Sequence, residues 1–181
     1  STTAKLLCDV LRDQKKDARL VGNIGIPILS EKKIVKQTFF VIEASSYQLE
    51  YSKIFKSKYS AILNITPDHI ERHKNFKNYI EAKFRLLDSQ TMQSIAFVKR
   101  NDPVIIKKLR SKKYKQKIIK IDTFLQPPIF KKITNKYFMS SGNRENLIFV
   151  LKICRILNVN NKKLLTTINK FKGLKYRQQI I

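Results

Sequence analysis

The run Thr38-Phe39-Phe40-Val41-Ile42-Glu43-Ala44-Ser45-Ser46-Tyr47-Gln48-Leu49 constrains the fold more than any other stretch of the chain. Its first residues are mostly apolar and β-prone without polar alternation, the pattern of a strand buried on both faces. The run then breaks into a carboxylate and small hydroxyls. In open α/β sheets, ligands gather just beyond the carboxyl ends of strands, and Glu43 stands there. An acid in that place either caps the next turn or faces a ligand, and the residue alone leaves both readings open.

The same grammar recurs downstream. Lys58-Tyr59-Ser60-Ala61-Ile62-Leu63-Asn64-Ile65-Thr66 is a second strand-like run, followed by Pro67-Asp68-His69 and then Arg72-His73. An acid and an imidazole therefore also lie at a strand exit, and two such exits can converge on one site.

Length and charge set the outer bounds. A chain of 181 residues with 43% hydrophobic content suits one domain with a sizeable core. No apolar run approaches the roughly 20 residues needed to span a bilayer, and Ser1-Thr2-Thr3-Ala4-Lys5 lacks the hydrophobic core of a signal peptide. The expectation is a cytoplasmic monomer without a membrane partner. Cys8 and Cys154 fall on helical apolar stripes far apart in the chain, so both read as packing residues rather than metal ligands. The 38 Lys and Arg against 13 Asp and Glu give a formal charge of +25, which attracts polyanions. The lysines are spread through nearly every segment among Ile and Asn, however, and form no stripe. That pattern reads as a compositional bias, with no specific nucleic-acid partner expected.

Taken in order, residues 2–17 place Ala4, Leu7, Val10 and Leu11 at helical spacings. A helix opening on Ser1-Thr2-Thr3 with no preceding strand is what remains if a P-loop, Gly-x-x-x-x-Gly-Lys-[Ser/Thr], is cut between its Lys and its Ser. A short strand Ala18-Arg19-Leu20-Val21 follows, then the turn Gly22-Asn23-Ile24-Gly25, with Pro27 suited to the first turn of another helix. After the two strand exits, Asn75 to Ser89 predicts a helix with Phe76, Tyr79, Ile80, Phe84 and Leu87 on one face. Lys83 lies in the middle of that stripe. A lysine there either snorkels past the core edge or is held for chemistry.

Ser94 to Val98 predicts a buried strand, Asn101-Asp102-Pro103 caps a helix over 104–112, and Lys117 to Asp122 predicts a further strand. Residues 125–137, with Pro127-Pro128, read as loop or an irregular antiparallel piece. Asn143 is expected to cap a helix carrying Leu147, Val150, Leu151, Cys154 and Leu157, with Asn146 in its first turn. A last helix from about Asn161 is expected to end at Gly173 as its C′ residue. The fold class expected is α/β, a P-loop-type, mostly parallel sheet flanked by helices in three layers.

The runs Gly22 to Gly25, Glu43 to Glu50, Asn64 to His73 and Tyr79 to Lys83 together resemble the central ATPase domain of the Mur ligases. Within that family they are most similar to the branch adding D-glutamate to UDP-N-acetylmuramoyl-L-alanine, whose members carry a GNIG turn and an E-x-S-S-[FY]-Q-L segment. The resemblance implies that residues 1–181 are such a domain, cut inside its P-loop and lacking the N-terminal UDP-binding and C-terminal amino-acid-binding domains.

It further implies ATP and Mg²⁺ as cofactors. Ser1 looks like the P-loop hydroxyl on Mg²⁺, with Thr2 beside it facing phosphate, and Glu43 like the carboxylate on that ion. His69 is similar to the ligand of a second metal, and Lys83 to a family lysine that is carbamylated and helps hold it; both are the catalytic candidates. Asn23 and Ser45 look like contacts to the muramyl substrate, and Asp68 like a residue near the phosphates. Asn143 and Asn146 match asparagines near adenine, and Arg177 an arginine contacting the nucleotide. The chain departs from the family pattern at Gly142 and Tyr176, where the family usually has His. The implied reaction is ATP-dependent amide ligation in peptidoglycan precursor synthesis. A folylpolyglutamate synthase-like ligase and, on charge alone, a basic nucleic-acid-binding module are the alternatives.

Overall fold

The computed structural model describes residues 1–174. In chain order the elements are α1 (Thr2–Asp13), β1 (Ala18–Gly22), β2 (Phe39–Glu43), α2 (Ser46–Tyr51), β3 (Tyr59–Ile62), α3 (Ile70–His73) and α4 (Phe76–Asp88). They continue as β4 (Ile95–Lys99), α5 (Pro103–Arg110), β5 (Lys117–Ile121), α6 (Ser141–Ile156) and α7 (Asn161–Lys170). The contacts divide the chain into two compact bodies: Ser1–Glu43 with Thr123–Ile181, and Ala44–Asp122.

In the first body β1 and β2 pair in parallel, Ala18 opposite Phe39 through Gly22 opposite Glu43. Parallel strands need a crossover connection, and residues 23–38 supply it largely as loop. Pro27 does not open an α-helix there; it precedes one short 3₁₀ turn, Ile28–Ser30. The core gathers Leu6, Cys8, Val10 and Leu11 of α1 against Leu147, Val150 and Cys154 of α6 and Leu164 and Ile168 of α7. Both cysteines are buried free thiols, as their apolar spacing predicts. Burial pushes the Cys8 thiol up and that of Cys154 to about 12, which leaves them inert packing groups.

Several expectations are corrected in this body. β2 is not buried on both faces: Val41 is buried, and Phe39, Phe40 and Ile42 are half-covered, because among the described residues this sheet is two strands wide. Asn143 does not cap α6; Ser140 does, and Asn143 sits inside the first turn. Gly173 is not the residue after the cap of α7, which ends at Phe171 in extended conformation.

The second body is a three-stranded parallel sheet in the order β3-β4-β5. β4 is its centre, and Ala96, Phe97 and Val98 are fully buried there, the continuous apolar run of a covered parallel strand. Phe84 and Leu87 of α4 and Ile105 of α5 complete the core with Ile62, Ala96 and Val98. Asn75 caps α4, its side chain accepting from the Asn78 amide at 2.9 Å. Asp102 caps α5 ahead of Pro103, accepting from the Ile105 amide at 2.9 Å and from the Ile65 amide at 3.1 Å. The first contact ends a loop and starts a helix; the second ties that corner to the segment leaving β3.

Candidate functional site

In the first body, the end of β2 meets the start of α1. Gly22 has φ +103°, and a Cβ there would lie 2.4 Å from the Glu43 carbonyl oxygen, so only glycine lets the turn close over the strand end. The Asn23 amide nitrogen then donates to that carbonyl at 2.8 Å, and the Asn23 side chain donates to Glu43 Oε1 at 3.2 Å. Ser1 is the N-cap of α1, yet its hydroxyl makes no capping bond; it donates to Glu43 Oε1 at 3.0 Å. The Ser1 nitrogen lies 3.2 Å from Glu43 Oε2, a buried oxygen to which no side chain donates among the described residues. Burial pushes the Glu43 carboxyl up, but the Ser1 hydroxyl, the ammonium and the Asn23 amide outweigh it and hold the group below its ordinary value.

This pair fits a hard divalent cation. Mg²⁺ takes oxygen ligands at about 2.0–2.1 Å in an octahedron, so neighbouring ligand oxygens stand about 3 Å apart. Ser1 Oγ and Glu43 Oε1 have that separation, and Oε2 is a buried anionic oxygen to which no side chain donates among the described residues. The first-turn amides of α1 add an electropositive edge suited to phosphate.

Thr2 is placed differently from its neighbour. Its hydroxyl is buried and 3.1 Å from the Tyr137 hydroxyl, so the side chain packs inward and only the backbone amide belongs to the helix end. Thr3 donates to Asn146 Oδ1 at 3.0 Å, which fixes the Asn146 amide against the first turn of α1. Asn143 is buried and donates to the Tyr137 carbonyl at 3.0 Å, holding the 136–138 turn onto α6. Arg177, and Tyr176 with it, lies outside the described residues.

In the second body, Ser45 caps α2 through a capping box: its hydroxyl accepts from the Gln48 amide at 3.2 Å, and its own amide donates to Gln48 Oε1 at 2.9 Å. Asp68 and His69 sit at the entrance to α3. Asp68 Oδ1 accepts from the His69 amide at 2.9 Å, and His69 Nε2 lies 3.4 Å from Asp68 Oδ2. His69 is left-handed, with φ +53° and ψ +32°. Its imidazole is half-exposed and packs on the Tyr47 ring at 5.1 Å.

Lys83 is half-buried on α4, with Nζ 5.0 Å from the centre of the Tyr79 ring. Between Lys83 and His69 runs a file of rings: Tyr79 meets His73 edge-on at 5.4 Å, and His73 stacks on Tyr47 at 5.5 Å. Among the described residues no three His, Cys, Asp or Glu side chains come together as a metal cluster. His69 alone offers one nitrogen, and an unmodified lysine is a cation, so this pair fits a metal only if Lys83 becomes an anion.

Tyr47 and His73 are the residues that reading by motif undervalued. The Ser45-x-x-Gln48 spacing is the signal that could have placed Tyr47, since it is a capping-box signature that starts a helix one residue before it.

Parallel sheets flanked by helices, with an acid at a strand's carboxyl end facing a helix N-terminus, define an α/β domain of the phosphate-handling type. The Mur ligase middle domain family model matches residues 1–162. The chain belongs to that family. Among its relatives, the UDP-N-acetylmuramoylalanine–D-glutamate ligase of Rickettsia bellii is 32% identical, aligned over 100% of this chain and 44% of the relative. The enzyme of that name from Caldanaerobacter subterraneus is 28% identical over 100% of this chain and 43% of the relative. The chain thus spans less than half the length of these curated relatives. MurF from Acinetobacter baumannii has the same fold, with a TM-score of 0.73 at 14% identity, over 99% of this chain and 45% of that one. The Neisseria UDP-N-acetylmuramate:L-alanyl-gamma-D-glutamyl-meso-diaminopimelate ligase gives 0.72 at 14% identity, over 96% and 63%.

Proposed function

We propose that this chain is the middle domain of a longer cytoplasmic ligase that adds D-glutamate to UDP-N-acetylmuramoyl-L-alanine at the expense of ATP. The observation that carries the reading is Glu43, clasped by the Ser1 hydroxyl and the Asn23 amide at the carboxyl end of β2. The D-glutamate-adding relatives, aligned over the whole chain, supply the amino acid.

In the proposed reaction the γ-phosphoryl group leaves ADP and joins the carboxylate of the L-alanyl substrate. The D-glutamate amine then attacks the acyl carbon, the C–N bond forms, and phosphate departs. Ser1 and Glu43 are the oxygen donors proposed for one Mg²⁺; His69 and a carbamylated Lys83 are those proposed for a second. When bound, such an ion neutralises the oxygens crowded together during phosphoryl transfer.

The chain's own groups do the rest. The α1 amides at Thr2 and Thr3 orient phosphate oxygens, and the family resemblance gives Asp68 a phosphate-facing role in its own body. Asn23, whose side chain is exposed, and Ser45 face the muramyl substrate. Asn146, held by Thr3, and Asn143 border the adenine, with Arg177 on the nucleotide. The test is amino-acid selectivity. The intact ligase should release one ADP per amide formed with D-glutamate and far less with L-glutamate or meso-diaminopimelate; equal turnover with another amino acid would contradict the assignment.

A further inference from the structure

His69 carries an unexplained cost. A non-glycine residue in the left-handed region is held there only when its surroundings over-determine it, and such residues gather at functional sites. The Asp68 carboxylate accepts the His69 amide and lies 3.4 Å from the ring's Nε2, but both side chains are exposed, so Asp68 holds one edge of the ring only. The ring's remaining neighbour is Tyr47, which is stacked nearly parallel, at 17°, on His73.

His73 is the fixed point of the group. Its side chain is 1% exposed, its Nε2 is 3.0 Å from the Ser46 hydroxyl, and its Nδ1 is 3.7 Å from Glu50 Oε2. Tyr79 closes its edge. Ser46, Tyr47 and Glu50 all belong to α2, so His73 pins that helix to the end of α3, one turn from His69.

We propose that His73 is a positioning residue: stacked under Tyr47 and anchored by Ser46 and Glu50, it makes Tyr47 a rigid wall that holds the His69 imidazole in its left-handed pose. The Nε2–Ser46 hydrogen bond and the nearby Glu50 carboxylate fix the His73 ring plane on which Tyr47 stacks. The arrangement resembles the outer-shell support that fixes a ligating imidazole's orientation. The inference rests on the proposed role of His69, but its first test does not.

The test is NMR on the 181-residue chain, followed by kinetics on the intact ligase. Ring-to-ring cross-peaks between His69 and Tyr47 should be present in the wild type. They should be lost in His73→Ala, although neither partner is changed and the amide spectrum of β3, β4 and β5 stays dispersed. His73→Phe, which keeps the stacking face, should restore them in part. Should His73→Ala fail to fold, Tyr47→Leu, at a half-buried position, should still release the His69 ring to a solvent-like shift. In the intact ligase, His73→Phe should lower kcat about 10- to 100-fold, the range for outer-shell groups, with KM for the muramyl substrate unchanged. Unaltered cross-peaks in His73→Ala, or an unmoved His69 shift in Tyr47→Leu, would overturn the proposal. A normal His69–Tyr47 contact in an inactive wild type would instead count against the proposed function alone.

Discussion

Lys83 is where side-chain geometry and chemistry meet at the residue scale. Half-buried on an otherwise apolar stripe, with its ammonium over the Tyr79 ring, it forms no ion pair among the described residues to account for its place. A carbamate would turn that cation into an oxygen ligand. Lys83→Ala in the intact ligase should therefore lose activity by about 100-fold or more, as removal of a charge-stabilising group does. A short carboxylic acid in solution should restore part of it. Lys83→Arg should stay inactive, because guanidinium keeps its charge and cannot be carbamylated. Near-normal ligation by the Arg variant would show that positive charge is all the position requires.

Glu43 makes a second prediction at the same scale, in pH. Its folded carboxyl is held below the ordinary value, so the cluster's contribution to stability is fully present above the unfolded pKa of about 4.3 and is lost as pH falls through the lowered folded value. Glu43→Gln should flatten the acid limb of the Tm profile and leave the neutral plateau nearly level. An unchanged acid limb would mean that the Ser1 and Asn23 contacts do not stabilise the ionised carboxylate. The identity of these residues was legible from their places at strand ends. Their exact engagements were not: that Thr2 packs on Tyr137, or that Ser45 is spent on a capping box, depends on neighbours distant in sequence or on a helix that periodicity did not reveal.

At the scale of the element, period and caps were sound guides where both were present. α4 and α5 follow their predicted spans to within a residue or two because Asn75 and Asp102 mark the starts and apolar spacing marks the face. α2 and α3 were missed because six and four residues are too short to establish a period. The polar knot of Ser60, Gln90 and Gln116 was equally hidden. Gln90 accepts from the Ser60 hydroxyl at 3.0 Å and from the Gln116 amide at 3.2 Å, a buried arrangement that no hydropathy pattern encodes. Asp102 tests how much such a tie is worth. Asp102→Ala removes the α5 cap, about 1 kcal/mol, and leaves the Ile65 amide without its acceptor, a further 1–3 kcal/mol. Chemical denaturation should show a loss of about 2–4 kcal/mol, with Asp102→Asn recovering part of it. A loss no larger than that of an exposed cap would mean the Ile65 contact adds nothing.

At the scale of the molecule, two parallel sheets and two cores divide a chain whose length suits a single domain. Each core was foreshadowed by its apolar runs; the division was not, because the first body closes between residues at opposite ends of the chain, such as Leu6 with Leu147. The basic residues behind the formal charge of +25 occur in the segments of both bodies. What unites the account is the carboxylate at the end of β2. The most direct measurement is ATP-dependent ligation of D-glutamate to UDP-N-acetylmuramoyl-L-alanine by the intact ligase, compared between wild type and Glu43→Ala with Tm measured on both. The account predicts that Glu43→Ala abolishes amide formation while the protein stays folded, its Tm lowered only by the loss of the Ser1 and Asn23 contacts. Retained turnover in that variant would contradict it.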